Sequence, residues 1–503
     1  MPSRYLRIQA AAPEKVRTAL ARLRDELDLP AEFPPEVLTE ATWASRLAPD
    51  GADATDVPFV TIDPPGSRDL DQALHIQADG DGYLVRYAIA SVASFVAPGG
   101  AIDRETHQRG VTVYGPDGTV PLHPPILSAG AASLLEGQVR PACVWHLRLG
   151  ADGGLVDARV ERATVRSRAQ LTYEQLQAAL DGGAPLPPAV PGDLPERLRA
   201  VGRLRQRQEV RRGGVSLDIP EQDAERADHG YVLTYRATLP VEGWNAQMSL
   251  LTGIAAAGIM RDAGVGILRT LPSADPRDVA RLRRTATALG VPWPAPMGYG
   301  ELLRTLDSGV PAHAAFLNEA TTLFRGAGYL AFGVDPQPAA AVPAGTAQPA
   351  GTAEPARTTA HAAIAAEYAH VTAPLRRLVD RYGLEVCVAH CAGNEVPDWV
   401  REALPGLPGT MAGTVRRAGA YERGALDAVE ALVLEGHVGE TFDGVVVDVD
   451  GDRDGAPQRG TVVLNRPAVR ARVDGDALPL GERVTVRLDD VDVPERRVRF
   501  VLA

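Results

Sequence analysis

The sequence predicts a multidomain α+β protein, and three observations carry that expectation. Helix-period apolar stripes and period-two alternation dominate separate long stretches of the 503 residues. Breaks rich in Gly, Pro and Ala fall between them. After Gly436 the pattern changes to short, closely spaced strands.

Residues 1–56 read as a small helical unit. In APEKVRTALARLRDELDL, Val16, Leu20, Leu23 and Leu27 form one stripe, and PPEVLTEATWASRL offers a second helix. Residues 57–175 mix strand-like alternation (GYLVRYAIASVASFV, VWHLRLG, DARVERATV) with Gly/Pro turns. Helical patterns dominate from about 190 to 330. Residues 335–358, DPQPAAAVPAGTAQPAGTAEPART, cannot form a core and read as a disordered insertion loop. Helices are expected to resume through HAAIAAEYAH and RRLVDRYGLEVCVAH and to continue to about 430. Residues 437–503 hold five short strands with barrel-like turn spacing, which suits an OB fold.

Composition narrows the function. Lys15 is the only lysine, which excludes a GKS/GKT phosphate loop, a Schiff-base lysine and a Ser/Lys hydrolase pair. The net charge of −12 does not exclude a nucleic-acid partner if the arginines line one groove. No run of 18 uncharged apolar residues points to a membrane span, and MPSRYLRIQAAAPEKV lacks the apolar core of a signal peptide. Three cysteines in so long a chain suit a reducing compartment, so cytoplasm is expected.

The chemistry gathers at PFVTIDPPGSRDLDQALHI, residues 58–76. VPFVTI delivers Asp63 at a strand end, PPGS turns the chain, and Asp69 and Asp71 then share one face of extended backbone. Leu70 points the other way. Three converging carboxylates repel unless a hard divalent cation joins them; an acidic surface turn is the competing reading. In TAPLRRLVDRY, Arg376, Arg377 and Arg381 lie near a helix start and can hold a phosphate or form a solvated basic face. Tyr114 and Tyr173 can stack on bases or simply pack. Cys387, His390 and Cys391 share a helix face but lack a fourth zinc ligand, and read as core-facing residues. Asp450-Gly-Asp452-Arg-Asp454 imitates a calcium loop without the closing glutamate and reads as a solvated hairpin loop.

Four stretches resemble, in order, the ribonuclease II (RNB) exoribonucleases: TIDPPGSRDLDQAL, RYAIASVASFVAPGGAIDRETHQRGVTVYGPDG, VEGWNAQMSLLTGIAA and EYAHVTAPLRRLVDRY. The resemblance spans about 57–430 as the RNB catalytic domain, and residues 437–503 are similar to the OB domain that ends such proteins. It implies a hydrolytic, processive 3′→5′ exoribonuclease that degrades single-stranded RNA to nucleoside 5′-monophosphates and acts as a monomer. By position, Asp63, Asp69 and Asp71 hold magnesium (with manganese as a substitute), and Arg376 binds the scissile phosphate. Tyr114, Tyr173, Glu242 and Arg377 contact or position substrate.

Departures from the pattern are equally specific. Gln72 stands where the family has a fourth aspartate, Ser91 where it has another, and Gly243, Leu378 and Leu217 replace a glutamate, a tyrosine and a base-clamping aromatic. Residues 1–56 are too short and too helical for cold-shock domains, so a helix-turn-helix or winged unit is expected. The lack of a lysine-rich tail leans toward ribonuclease II rather than ribonuclease R. A non-catalytic RNA-binding member, its site decayed at Gln72 and Ser91, is the alternative.

Overall fold

A computed structural model describes residues 6–8, 13–217, 221–227, 230–236, 238–335, 359–449, 458–464 and 466–503. The insertion tract beyond Asp335 and the acidic loop 450–455 lie outside these residues. The α+β expectation holds. At the centre, strands Phe59–Asp63, Gln72–Asp79, Gly82–Ala90 and Val139–Leu149 are hydrogen-bonded in that order. The 18-residue strand Leu155–Thr172 closes the set. Its first part pairs antiparallel with Val139–Leu149, and its last residues run parallel to Phe59–Asp63.

Alternation along Phe59–Asp63 explains this strand's central place. Val60 and Ile62 enter one core with Leu74 and Tyr87, whereas Phe59 enters a second core with Leu70, Ala73 and Ala88. Both faces are covered, so apolar residues occupy successive positions. Helix Pro240–Asp262 packs on Leu194–Arg212 and on Leu378–Cys391. It begins with Pro at its first turn, and Glu242 reaches back to accept from the Leu239 amide at 2.9 Å.

One expectation is corrected and two are refined. HAAIAAEYAH is not a helix, because its backbone bonds elsewhere: Tyr368 O accepts from the Arg269 amide at 2.7 Å, and the Ala369 amide donates to Gly253 O at 3.0 Å. Helices dominate the span from 190 to 330 as expected, and it also contains a hairpin, Glu221–Ala227 with Gly230–Arg236. The small amino-terminal helical unit is present, and among the described residues its two helices dock on different parts of the fold. Glu14–Glu26 lays Val16, Leu20 and Leu23 on the long helix Leu407–Leu434, and Gly424 there lets Leu23 approach. Pro35–Ala44 packs on Ala101–Arg109, with Glu40 accepting from the Ala101 amide at 2.5 Å. Strand Leu6–Ile8 joins the 221–236 hairpin. A helical stripe shows that a helix will dock, not where.

The five carboxy-terminal strands, Thr441–Val449, Gln458–Leu464, Arg470–Gly475, Arg483–Asp492 and Arg497–Leu502, close into a barrel. Among the described residues of the barrel, only Arg470–Gly475 and Arg497–Leu502 pair in parallel. No helix among the described residues is long and apolar enough to cross a membrane.

Gly253 is the point where the 240–262 helix meets the irregular segment leading to Arg376. A Cβ there would lie 2.0 Å from the Tyr368 ring and 2.6 Å from Ala369 O. Gly253→Ala should therefore lower unfolding free energy by about 1–3 kcal/mol in urea titrations; an unchanged midpoint would show that the segment yields freely.

Candidate active site

Strand Phe59–Asp63 ends with Asp63 opposite Thr172 of the parallel neighbour. Thr172 caps the next helix reciprocally with Gln175, so Tyr173, its first residue, is delivered beside Asp63. After the Pro64–Ser67 turn the chain re-enters the sheet at Gln72, with Leu70 fully buried as expected. Asp71 precedes that strand and is 3% exposed. Its Oδ1 accepts from the Leu375 amide at 2.8 Å, and its Oδ2 lies 3.5 Å from Arg376 Nε. The helix after these arginines starts at Leu378, so Arg376 sits on the irregular approach to it, its side chain 42% exposed.

Asp63, Asp69, Asp71 and Arg376 share one electrostatic field. Burial pushes the Asp63 carboxyl up to about 7 against the pull of Arg376, and the Asp69 charge adds to the rise. Burial pushes Asp71 up to about 8, opposed by Arg376 and the Leu375 amide. Asp63 Oδ2 and Asp71 Oδ2 are both buried without a hydrogen-bond donor. Carboxylate oxygens buried without a donor, with one arginine between them, fit a hard cation that adds positive charge. Asp69 is held differently: its Oδ2 accepts from the Tyr114 hydroxyl at 2.6 Å. Among the described residues no three carboxylate, imidazole or thiol groups form a ready-made cage. The three aspartates thus surround one region without closing on one point.

Gln72 does not stand in for a fourth ligand. Its Nε2 donates to Thr372 O at 2.6 Å, and its Oε1 accepts from the Tyr87 hydroxyl, with Ser249 Oγ at 3.4 Å. Both ends of the amide are committed, and the carbonyl of Thr372 requires a donor that a carboxylate lacks.

The other expected residues divide. Tyr173 is half-buried, and Asn245 Nδ2 lies 3.4 Å from its hydroxyl. Burial raises its phenol, and the charges of Asp63 and Glu242 raise it further. Glu242 therefore faces this neighbourhood while capping its own helix. Arg377 does not present a guanidinium for a phosphate. It is bound twice to Asp380, at 2.8 and 2.7 Å, and Asp380 in turn accepts from the Ala373 amide at 2.7 Å. Sequence reasoning missed Asn245 and Ser249, although with Glu242 they fall at helical spacing along one face. Cys387 turns into the core against Ala256 O. Leu217 lines a separate cavity of about 240 Å³, with Phe324, Tyr368 and His370.

A larger cavity of about 920 Å³ opens beside Tyr114 and Arg376. It runs along the long helix (Arg416, Arg423) to Arg470 of the barrel. Arg470 Nε donates to Glu319 at 2.9 Å and its amide to Glu430 at 3.1 Å, which fixes the barrel at the cavity wall.

A family model described as the RNB domain matches residues 52–386, more than half of the chain. One described as the RNase II-type exonuclease C-terminal S1 domain matches residues 440–503. Ribonuclease R of Escherichia coli is 25% identical over 94% of this chain, which spans 61% of that protein. Exoribonuclease 2 of Serratia proteamaculans is 31% identical over 51% of this chain and 42% of its own length. Both names occur among the relatives, so the comparisons do not separate the two branches. The apo form of Mycoplasma genitalium RNase R superposes with a TM-score of 0.80 at 18% identity, covering 97% of this chain and 78% of that one.

Two outcomes test this geometry. Gln72→Asp places a carboxylate before Thr372 O and should cost about 1–3 kcal/mol in chemical denaturation; a neutral result would mean that the amide bond to Thr372 holds nothing. In EDTA, the folded Asp63 and Asp71 carboxyls keep their protons up to about pH 7 and 8, whereas in the unfolded chain they ionise near 3.8. Their contribution to stability is whole at acid pH and is lost as pH rises through those values. Unfolding free energy measured between pH 5 and 8.5 should therefore fall less steeply in Asp71→Asn than in wild type, and identical slopes would contradict the burial of this charge.

Proposed function

This chain belongs to the RNB-domain family, and we propose that it is a magnesium-dependent, hydrolytic 3′→5′ exoribonuclease. It acts on single-stranded RNA, processively and as a monomer, and releases nucleoside 5′-monophosphates. The observation that carries this reading is the buried Asp71, whose Oδ2 accepts no hydrogen bond and faces Arg376 Nε at 3.5 Å where an arginine-lined cavity begins. Guanidinium groups along a cavity suit a polyphosphate chain, which they bind through paired hydrogen bonds.

In the reaction, water adds to the terminal phosphorus, the P–O3′ bond breaks, and the departing O3′ takes a proton. Arg376 faces the cavity and neutralises charge on the non-bridging oxygens of that phosphate. Asp63 and Asp71 would hold magnesium through their orphaned oxygens, with Asp69 beside them; the ion when bound activates water and offsets the phosphate charge. Tyr114 keeps Asp69 in orientation and offers its ring toward the cavity. Tyr173, fixed between Asp63 and Asn245, lies where the terminal nucleotide is positioned. Arg377 serves by locking the segment that carries Arg376. Cys143, Cys387 and Cys391 are all unpaired, and a cytoplasmic setting is part of this reading.

The alternative, an RNA-binding member without catalysis, draws on the commitment of Gln72 to Thr372 and Tyr87. Presence together of Asp63, Asp69, Asp71 and Arg376 weighs against it. The test follows 5′-labelled single-stranded RNA with magnesium, beside EDTA and a matched DNA. Progressive shortening from the 3′ end is expected, with Asp71→Asn slowing it by about 10²–10³-fold. Wild type that binds this RNA and leaves it intact would establish the binding-only alternative.

A further inference from the structure

The geometry points to a role for the amino-terminal helix Glu14–Glu26 inside the active site: we propose that it positions Tyr114 through an Arg24–Asp117 ion pair, making Arg24 and Asp117 positioning residues. This rests on the reading above for its catalytic consequence, though not for its structural one.

Tyr114 lies on a hairpin of two three-residue strands, Val113–Gly115 and Gly118–Val120. A two-stranded ribbon this short has little stability of its own, so its anchors decide where the Tyr114 hydroxyl meets Asp69. At the tip, Asp117 Oδ1 accepts from Arg24 Nη2 and from the Tyr421 hydroxyl, the latter at 3.2 Å. The Asp117 side chain is only 7% exposed and that of Arg24 20%, so the pair is largely out of water. The Arg24 guanidinium also lies over the Tyr421 ring, 5.4 Å from its centre. Gly115 allows this closeness, since a Cβ there would stand 2.6 Å from the Tyr421 hydroxyl. Removing one member of such a pair leaves a poorly solvated charge at the tip.

The base of the hairpin is held by the stretch that follows the same helix. Arg109 donates to Glu32 O at 2.6 Å and to Pro121 O at 3.1 Å, and its guanidinium stacks 3.7 Å from the Phe33 ring centre. Arg417 bridges Asp28 O and Gln108 O. Tip and base are thus both tied to residues 24–33. Two further ion pairs of this helix lead elsewhere: Arg22 pairs with Glu495, and Glu26 with Arg496, both beside the barrel strands. These barrel ties provide an internal control.

The experiment compares Arg24→Gln, Asp117→Asn, the exchanged pair Arg24→Asp/Asp117→Arg, and Arg22→Gln, each checked for its melting temperature. Hydrogen exchange across residues 111–122 is the primary readout and needs no catalysis. Turnover of single-stranded RNA is then measured in wild-type and Tyr114→Ala backgrounds. Arg24→Gln and Asp117→Asn should raise hairpin exchange and lower kcat about tenfold with little change in KM, since misplaced positioning groups act on the reacting geometry. The exchanged pair should recover part of both losses, and Arg22→Gln should change neither. In the Tyr114→Ala background Arg24→Gln should add no further loss, because the two act through one contact. Unchanged exchange in Arg24→Gln, or a loss of equal size without Tyr114, would overturn the proposal. Exchange that responds while wild type cleaves no RNA would leave the strap standing and remove the nuclease reading instead.

Discussion

One hydrogen bond organises the site: the Leu375 amide to the buried carboxylate of Asp71, across 304 residues of chain. The segment from Val371 to Arg377 has no regular structure, yet it is mostly buried, so its backbone polar groups need partners from outside. Each comes from a different part of the fold. Gln72 donates to Thr372 O, Asp380 accepts from the Ala373 amide, and the Thr112 amide donates to Arg376 O at 3.0 Å. His123 Nδ1 donates to Leu375 O at 3.1 Å, and burial pushes its imidazole down to about 4, so the ring stays neutral with its proton on Nδ1. Arg376 points into the cavity because the residues on either side of it are held.

That lock has an electrostatic consequence. Fixing Asp71 against a backbone amide places a second carboxylate oxygen in the interior, facing one half-exposed guanidinium. Asp63 is in the same position, and Asp69 adds negative charge to both. A single arginine does not balance three carboxylates in a partly desolvated site. Unassisted, the fold resolves the conflict by holding protons on Asp63 and Asp71 near neutrality. A cation resolves it instead by releasing those protons, so affinity for metal and affinity for protons oppose each other at the same oxygens.

Much of this was legible in the sequence. The strand–turn–strand around Asp63 and Asp71 follows from alternation and from Pro64, Pro65 and Gly66, and the barrel follows from five evenly spaced alternating runs. The partners were not legible, because they are distant. Arg376 and Arg377 look alike in sequence; only the fold shows one facing a cavity and the other bound to Asp380, a pairing that a phosphate-binding helix start equally allows. Gln72 reads as a weakened ligand until Thr372 and Tyr87 are found at its two ends. The Val16–Leu20–Leu23 stripe correctly marks a helix with one buried face, but the same stripe suits a free-standing bundle, and the surface it meets lies about 400 residues further along. HAAIAAEYAH failed for the same reason in reverse: local helix propensity lost to backbone bonds with Arg269 and Gly253.

The distribution of charge also removes the apparent conflict between an acidic chain and the polyanionic substrate proposed for it. Seven arginines line the large cavity against four acidic residues, while the whole chain is −12. Even with Arg377 given to Asp380, Arg470 to Glu319 and Arg376 facing Asp71, Arg269, Arg325, Arg416 and Arg423 also line the wall. Local field, not net charge, governs a polyanion entering such a space. The near-absence of lysine gives that field a particular character, because guanidinium stays charged even when partly buried, where an ammonium can lose its proton. His370, also on the wall, is kept neutral by burial and by the neighbouring Arg377 and Arg269. The two groups of the site whose protonation burial moves most are carboxylates, Asp63 and Asp71, beside the mouth of this arginine-lined space.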